Sequence, residues 1–101
     1  MNGVKKFDEG KPDLSYITDA PVAMEGFARV MKLGESKYGR SNWKLHDDSN
    51  RLIAALLRHL MAWQNGEKID PESNLSHLHH VVANAVMLAE NETLMKGKSN
   101  D

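Results

Sequence analysis

Four of the five histidines, His59, His77, His79 and His80, fall in two segments separated by a short acidic stretch that carries Glu67, Asp70 and Glu72. Neutral imidazole and carboxylate together suit divalent ions such as Mn, Zn or Co, whereas Mg prefers oxygen donors alone. His77, His80 and Asn84 recur at i, i+3 and i+7, a spacing that turns all three to one face of a helix. That face continues into Val81 and Leu88, so these polar groups border apolar surface, where an unpaired imidazole or amide costs about 1–3 kcal/mol. His59 lies on the line Leu52, Leu56, His59, Trp63, which also looks inward. If the two helices are suitably offset, His59, His77 and His80 form a nitrogen-rich metal cluster with Glu67 and Asp70 beside it. The competing reading makes the same residues an internal hydrogen-bond network. His79 points elsewhere and receives no role. Taken alone, the acidic stretch reads as a solvated turn whose Asp70 or Ser73 caps the helix that follows.

A second group is basic: Lys5, Lys6, Lys11, Lys37 and Arg58 are the kind of donor that phosphates require. Neither GxxxxGK[ST] nor a GxGxxG after a strand is present, so both common phosphate cradles are excluded, and scattered lysines also suit an ordinary solvated surface. Trp43 lies in a polar loop, where packing onto the core competes with stacking on a ligand. The absence of cysteine removes disulfides, thiolate metal sites and a cysteine nucleophile. A formal net charge of −1 gives no general affinity for a nucleic acid polymer or an anionic membrane. The longest apolar run, Val81 to Leu88, is broken by Asn84 and is too short to cross a bilayer. The polar residues Met1 to Lys11 lack the apolar stretch of a signal peptide, which makes the cytoplasm the expected location.

The elements that must hold these groups are helical. Residues 1–18, with Gly3, Gly10, Pro12 and alternating charge, read as an extended arm that Phe7, Leu14, Tyr16 and Ile17 could dock. A first helix is expected from Pro21 to Tyr38, capped by Thr18 or Asp19, with Met24, Phe27, Ala28, Met31 and Tyr38 on one face and Gly39 as its stop. Glu35 shares that face. After a loop over 39–50, a second helix runs from Asn50 to Asn65, capped by Asp48 or Ser49. Its apolar residues cover most of the circumference, which predicts deep burial. A third helix runs from Asn74 to Leu94 with Leu78, Val81, Val82, Ala85, Leu88 and Ala89 as its apolar face, and 96–101 form a frayed tail. No period-two run competes. The expectation is one all-α domain over 1–101, a small three- to four-helix bundle completed by homo-oligomerisation.

The run Lys6-Phe7-Asp8-Glu9-Gly10-Lys11-Pro12-Asp13-Leu14 resembles the N-terminal signature of the phage and bacterial dATP/dGTP diphosphohydrolase family. Further marks are Lys37-Tyr38-Gly39, Asn42-Trp43, Arg58-His59-Leu60, Ala62-Trp63, Gly66-Glu67, Asp70-Pro71-Glu72-Ser73, His77-Leu78-x-His80 and Asn84. The resemblance spans residues 5 to about 90. It implies hydrolysis of a purine deoxynucleoside triphosphate, dATP or dGTP, to the monophosphate and pyrophosphate, with a divalent cation (Mg, Mn, Co or Zn), inside a bacterial or phage-infected cell. On that reading His59, His77 and His80 bind or border the metal, and Glu67 and Asp70 assist. Lys6, Lys11, Lys37 and Arg58 hold phosphates, and Tyr38, Asn42 and Trp43 contact base or sugar. Asn84 adds a polar substrate contact, and Asp8 pairs with a lysine or binds metal itself. The wider group is similar to the MazG-like all-α pyrophosphohydrolases, whose EExxE and ExxD motifs hold magnesium. Here their nearest counterparts are Arg58-His59-Leu60-Met61-Ala62 and His77-Leu78-His79-His80. The metal is then a different one, or it lies on Glu25, Glu35, Glu67, Asp70 or Glu72, or the activity is lost. The alternatives are a non-catalytic nucleotide- or protein-binding phage accessory module and, more remotely, a nucleotide kinase without a P-loop.

Overall fold

The computed structural model describes the backbone of residues 9–45 and 49–99, and side chains within 9–41, 43–44 and 49–92. Three α-helices carry the domain: α1 (Pro21–Tyr38), α2 (Ser49–Gln64) and α3 (His77–Ser99). Among the described residues there is no strand, only an isolated antiparallel bridge between Ile69 and Ser76. The all-α expectation therefore holds. No helix is long and apolar enough to cross a membrane among the described residues. α3 is the central element and packs chiefly against α2 and secondly against α1.

Several local expectations are corrected. Part of the arm is helical: Leu14–Asp19 form a 3₁₀ turn capped by Asp13, which accepts from the Ser15 amide at 3.0 Å and the Ser15 hydroxyl at 2.6 Å. Thr18 spends its hydroxyl inside that turn on the Ser15 carbonyl, 2.7 Å away. The N-cap of α1 is consequently Ala20, without a side-chain bond, and Pro21 opens the helix, where its missing N–H costs nothing. The loop after α1 holds a second 3₁₀ turn, Asn42–Leu45. Ser76 caps α3 in place of Asp70 or Ser73, accepting from the Leu78 amide at 3.2 Å. Asp70 and Ser73 instead organise the loop before it. Asn74, with a left-handed φ of 62°, belongs to this loop and not to the helix. The C-terminal boundary also differs, since helical backbone continues from Leu94 to Ser99. The proposed cap Asp48 and residues 100–101 lie outside the described residues.

Deep burial of α2 is overturned. None of its residues is buried, and Ile53, Leu57 and Met61, one stripe at i, i+4 and i+8, are 43%, 48% and 59% exposed. α2 lies against α3 on one side, and among the described residues no further helix covers the other. Ala83 is the buried hydrophobic residue, while Ala85 and Ala89, expected on the apolar face of α3, are exposed. The inward line of α3 is instead polar: His77, Asn84 and Asn91, seven residues apart, are all buried.

His79, given no role from the sequence, faces α1. A Cβ placed on Gly26 would overlap its imidazole ring. Gly26 therefore lets the two helices approach through the histidine. Alanine would gain about 1 kcal/mol of helix propensity there, but overpacking costs ~1–3 kcal/mol. Gly26→Ala is expected to lower stability by a net ~1 kcal/mol, roughly 4–8 °C in Tm. The same substitution in a His79→Ala background should restore it, and thermal denaturation of the four proteins checks the coupling.

Candidate metal centre

The centre forms where α2 ends and α3 begins. Gly66, at a φ of 100°, closes α2: the Glu67 amide bonds the Ala62 carbonyl at 3.0 Å and the Gly66 amide bonds that of Trp63 at 3.1 Å. This paired ending needs a left-handed residue, which glycine adopts without strain. It turns the chain so that Glu67 follows directly on the helix. The next residues return to α3 through backbone bonds from Asp70 to Leu75 (2.8 Å) and from His77 to Lys68 (2.9 Å). Asp70 braces the turn between them, accepting from the Glu72 amide at 3.2 Å and the Ser73 hydroxyl at 2.9 Å.

Antiparallel packing of α2 on α3 brings His59 to the first turn of α3, the offset the histidine pattern required. The His59 and His80 rings stack with centroids 4.2 Å apart and planes 6° from parallel. One ligand atom from each of His59, Asp70 and His80 falls within 4.8 Å of the others, close enough for one metal ion to touch all three. Two imidazole nitrogens and one carboxylate oxygen fit Mn, Co or Zn better than Mg, and three protein ligands leave positions open for substrate and water.

His77 stands behind this group. Its Nδ1 lies 2.8 Å from Nδ1 of His59 and its Nε2 lies 2.7 Å from Glu67 Oε1. A carboxylate only accepts, so Nε2 of His77 carries the proton and donates to Glu67. In the neutral ring Nδ1 is then an acceptor, and Nδ1 of His59 donates to it. The tautomer of His59 is thereby fixed with its Nε2 lone pair free for a cation, the arrangement by which outer partners orient metal-binding histidines.

Ser73 links the other two groups, an arrangement that the sequence reading missed. Its hydroxyl donates to Asp70 and lies 2.7 Å from His80 Nε2. The single hydroxyl proton is used on the carboxylate, so His80 Nε2–H donates to Ser73. Both His59 and His80 have pKa values below the ordinary imidazole value. Burial is the main cause for each; for His59 the next cause is His80, whereas nearby Asp70 pulls both the other way. Burial raises the Asp70 pKa, but bonds from Ser73 and the Glu72 amide, followed by the two imidazoles, outweigh it and leave the group more acidic than usual. The site thus presents neutral imidazoles and an ionised carboxylate near neutral pH. Nε2 of His80 becomes available to a cation when its proton shifts to Nδ1 of the same neutral ring, so metal uptake near neutral pH should release no net proton from these ligands. Calorimetry in buffers of different ionisation enthalpy measures this directly; a strongly buffer-dependent heat would contradict the assignment.

The remaining sequence candidates divide. Tyr38, Trp43, Arg58 and Asn84 line one cleft between α1, α2 and α3. Asn84 is buried there and donates to the His80 carbonyl at 2.9 Å. Lys11 and Lys37 are exposed and away from the cleft lining. Lys6 and Asp8 lie outside the described residues, as does the side chain of Asn42.

No solved structure matches this chain. A dATP/dGTP diphosphohydrolase of Salmonella phage PMBT28 is 38% identical over 88 residues, covering 87% of this chain and 29% of that protein. The chain thus spans under a third of its relative's length. The family described as dATP/dGTP diphosphohydrolase, N-terminal, matches across residues 1–101. With all the quoted marks lying inside that match, the chain belongs to the dATP/dGTP diphosphohydrolase N-terminal family.

Proposed function

We propose that this domain takes part in metal-dependent hydrolysis of a purine deoxynucleoside triphosphate, dATP or dGTP, to the monophosphate and pyrophosphate. The observation that carries the reading is the convergence of His59, Asp70 and His80 at one point, in a chain whose phage relative bears the name of that activity. His59, Asp70 and His80 would hold the cation, with His77 and Glu67 fixing the orientation of His59. A divalent ion, when bound, supplies Lewis acidity to a phosphoryl oxygen and to water. Arg58, beside His59, would neutralise phosphate charge, and Tyr38 and Trp43 in the adjoining cleft would meet the base or sugar. The domain would act in the cytoplasm of a bacterial or phage-infected cell. Its uncovered α2 stripe would be buried in a homo-oligomer.

The test is chromatographic. Metal-stripped protein is incubated with each dNTP, ATP and GTP, with Mg, Mn, Co and Zn added separately. Metal-dependent dAMP or dGMP together with pyrophosphate is the expected result. Folded protein that binds a dNTP but yields no product with any metal would replace this reading with a binding module.

A further inference from the structure

The chain carries a net charge of −1, yet its charges are unevenly placed. Lys32, Arg40, Lys44, Arg51 and Arg58 line the cleft between α1, α2 and α3, where Glu35 is the single acidic residue among the described ones. Phe27, Tyr38 and Trp43 share the wall, and Lys44 Nζ lies 5.5 Å from the Trp43 ring centre. The cations arrive from separate elements: Lys32 from α1, Arg40 and Lys44 from the segment after it, and Arg51 and Arg58 from α2. Helical periodicity aligns Arg51 with Arg58, and the fold brings the other three beside them. Of these five, Arg58 alone was named from the sequence as a phosphate donor.

Two cleft residues also connect to the metal centre. Arg58 precedes His59 on α2, and Asn84 bonds the carbonyl of His80. Arg51 lies two helical turns from Arg58, about 10 Å further along α2. A chain of anionic groups starting beside the metal ligands would therefore meet successive guanidinium and ammonium groups. Arginine suits phosphate oxygens because its planar fork donates two parallel hydrogen bonds, and lysine adds a point charge.

We infer that this cleft is a polyphosphate site in which Lys32, Arg40, Lys44 and Arg51, together with Arg58, hold a linear triphosphate running away from the metal centre. Identifying its natural ligand as a deoxynucleoside triphosphate rests on the function proposed above. Affinity for the phosphate chain does not, since these cations act without the metal.

The experiment uses the metal-free full chain and inorganic triphosphate, followed by calorimetry at low and at physiological salt. One triphosphate per chain is expected, with affinity falling as salt rises. The Arg40→Gln/Lys44→Gln double variant should lose at least tenfold in affinity while keeping the helical circular dichroism of the parent. Arg29→Gln removes a cation that is exposed and paired with Glu25 at 2.7 Å, outside the cleft, and should bind as the parent does. Deoxyadenosine, which lacks phosphate, should bind far more weakly than triphosphate. An absence of saturable binding would overturn the inference. So would equal loss in Arg29→Gln and the double variant, which would mean diffuse surface charge. Triphosphate binding without turnover under any metal would reject the hydrolase reading and keep the cleft. Turnover with undiminished triphosphate binding in the double variant would do the reverse.

Discussion

Asp70→Asn, His59→Ala and His80→Ala are each expected to abolish stable binding of Mn, Co or Zn and, with it, turnover. Each removes one of three donors, so the loss should exceed the ~10–100-fold that changes to outer partners cause. Asp70→Asn is the most informative of the three. Its amide keeps the size and one acceptor oxygen for the loop that Asp70 braces through Glu72 and Ser73, while the charge is gone. The Co(II) absorption spectrum, taken alongside circular dichroism, separates a lost metal site from a lost fold. A folded Asp70→Asn or His80→Ala protein with parental metal affinity and rate would remove these residues from the centre.

Glu67 and His77 should behave differently from the three donors. Glu67→Ala leaves His77 Nε2 without its acceptor and releases the constraint on the His59 tautomer, so metal affinity should fall ~10–100-fold. The Glu67 side chain is 53% exposed, so water can take its place on His77 Nε2 and its removal should change Tm little. Glu67→Gln should lie between parent and alanine variant, since the amide oxygen still accepts from His77 but carries no charge. This ranking distinguishes an orienting role from a purely structural one, which would lower Tm and spare metal affinity. It also tests whether His77 is itself a ligand, as the sequence pattern suggested. In that case His77→Ala would be as damaging as His59→Ala, and Glu67→Ala would be nearly silent.

Helix existence and the first helix's bounds were legible because Met24, Phe27 and Met31 keep a helical period and Pro21 and Gly39 punctuate it. The meeting of His59 with His77 and His80 was legible only on condition of the right offset, since a short connection forces antiparallel packing but does not fix the register of the two helices. Which donors converge was not. Asp70 enters through a turn fixed by Ser73 and a left-handed Asn74, and side-chain bonds of that kind leave no periodic trace. The burial of α2 was misread because hydrophobicity reports what a residue would prefer to cover, not whether a neighbour exists to cover it. Most of the cleft cations escaped notice for a related reason: Lys32, Arg40 and Lys44 come from α1 and the segment after it and join Arg51 and Arg58 of α2 only once the helices are packed.

Among the described residues, every group that builds the candidate metal centre lies between His59 and His80, on one helix end, one loop and one helix start. α1 contributes none of these side chains. The centre is therefore a local cassette whose assembly requires only that a single hairpin close, and local contacts of this kind form early when a chain folds. A bound ion would staple that hairpin shut, making metal supply a determinant of the domain's lifetime as well as of its chemistry. Such a unit could be carried intact into a different helical frame, with the cleft rebuilt around it by whatever helices the new host supplies.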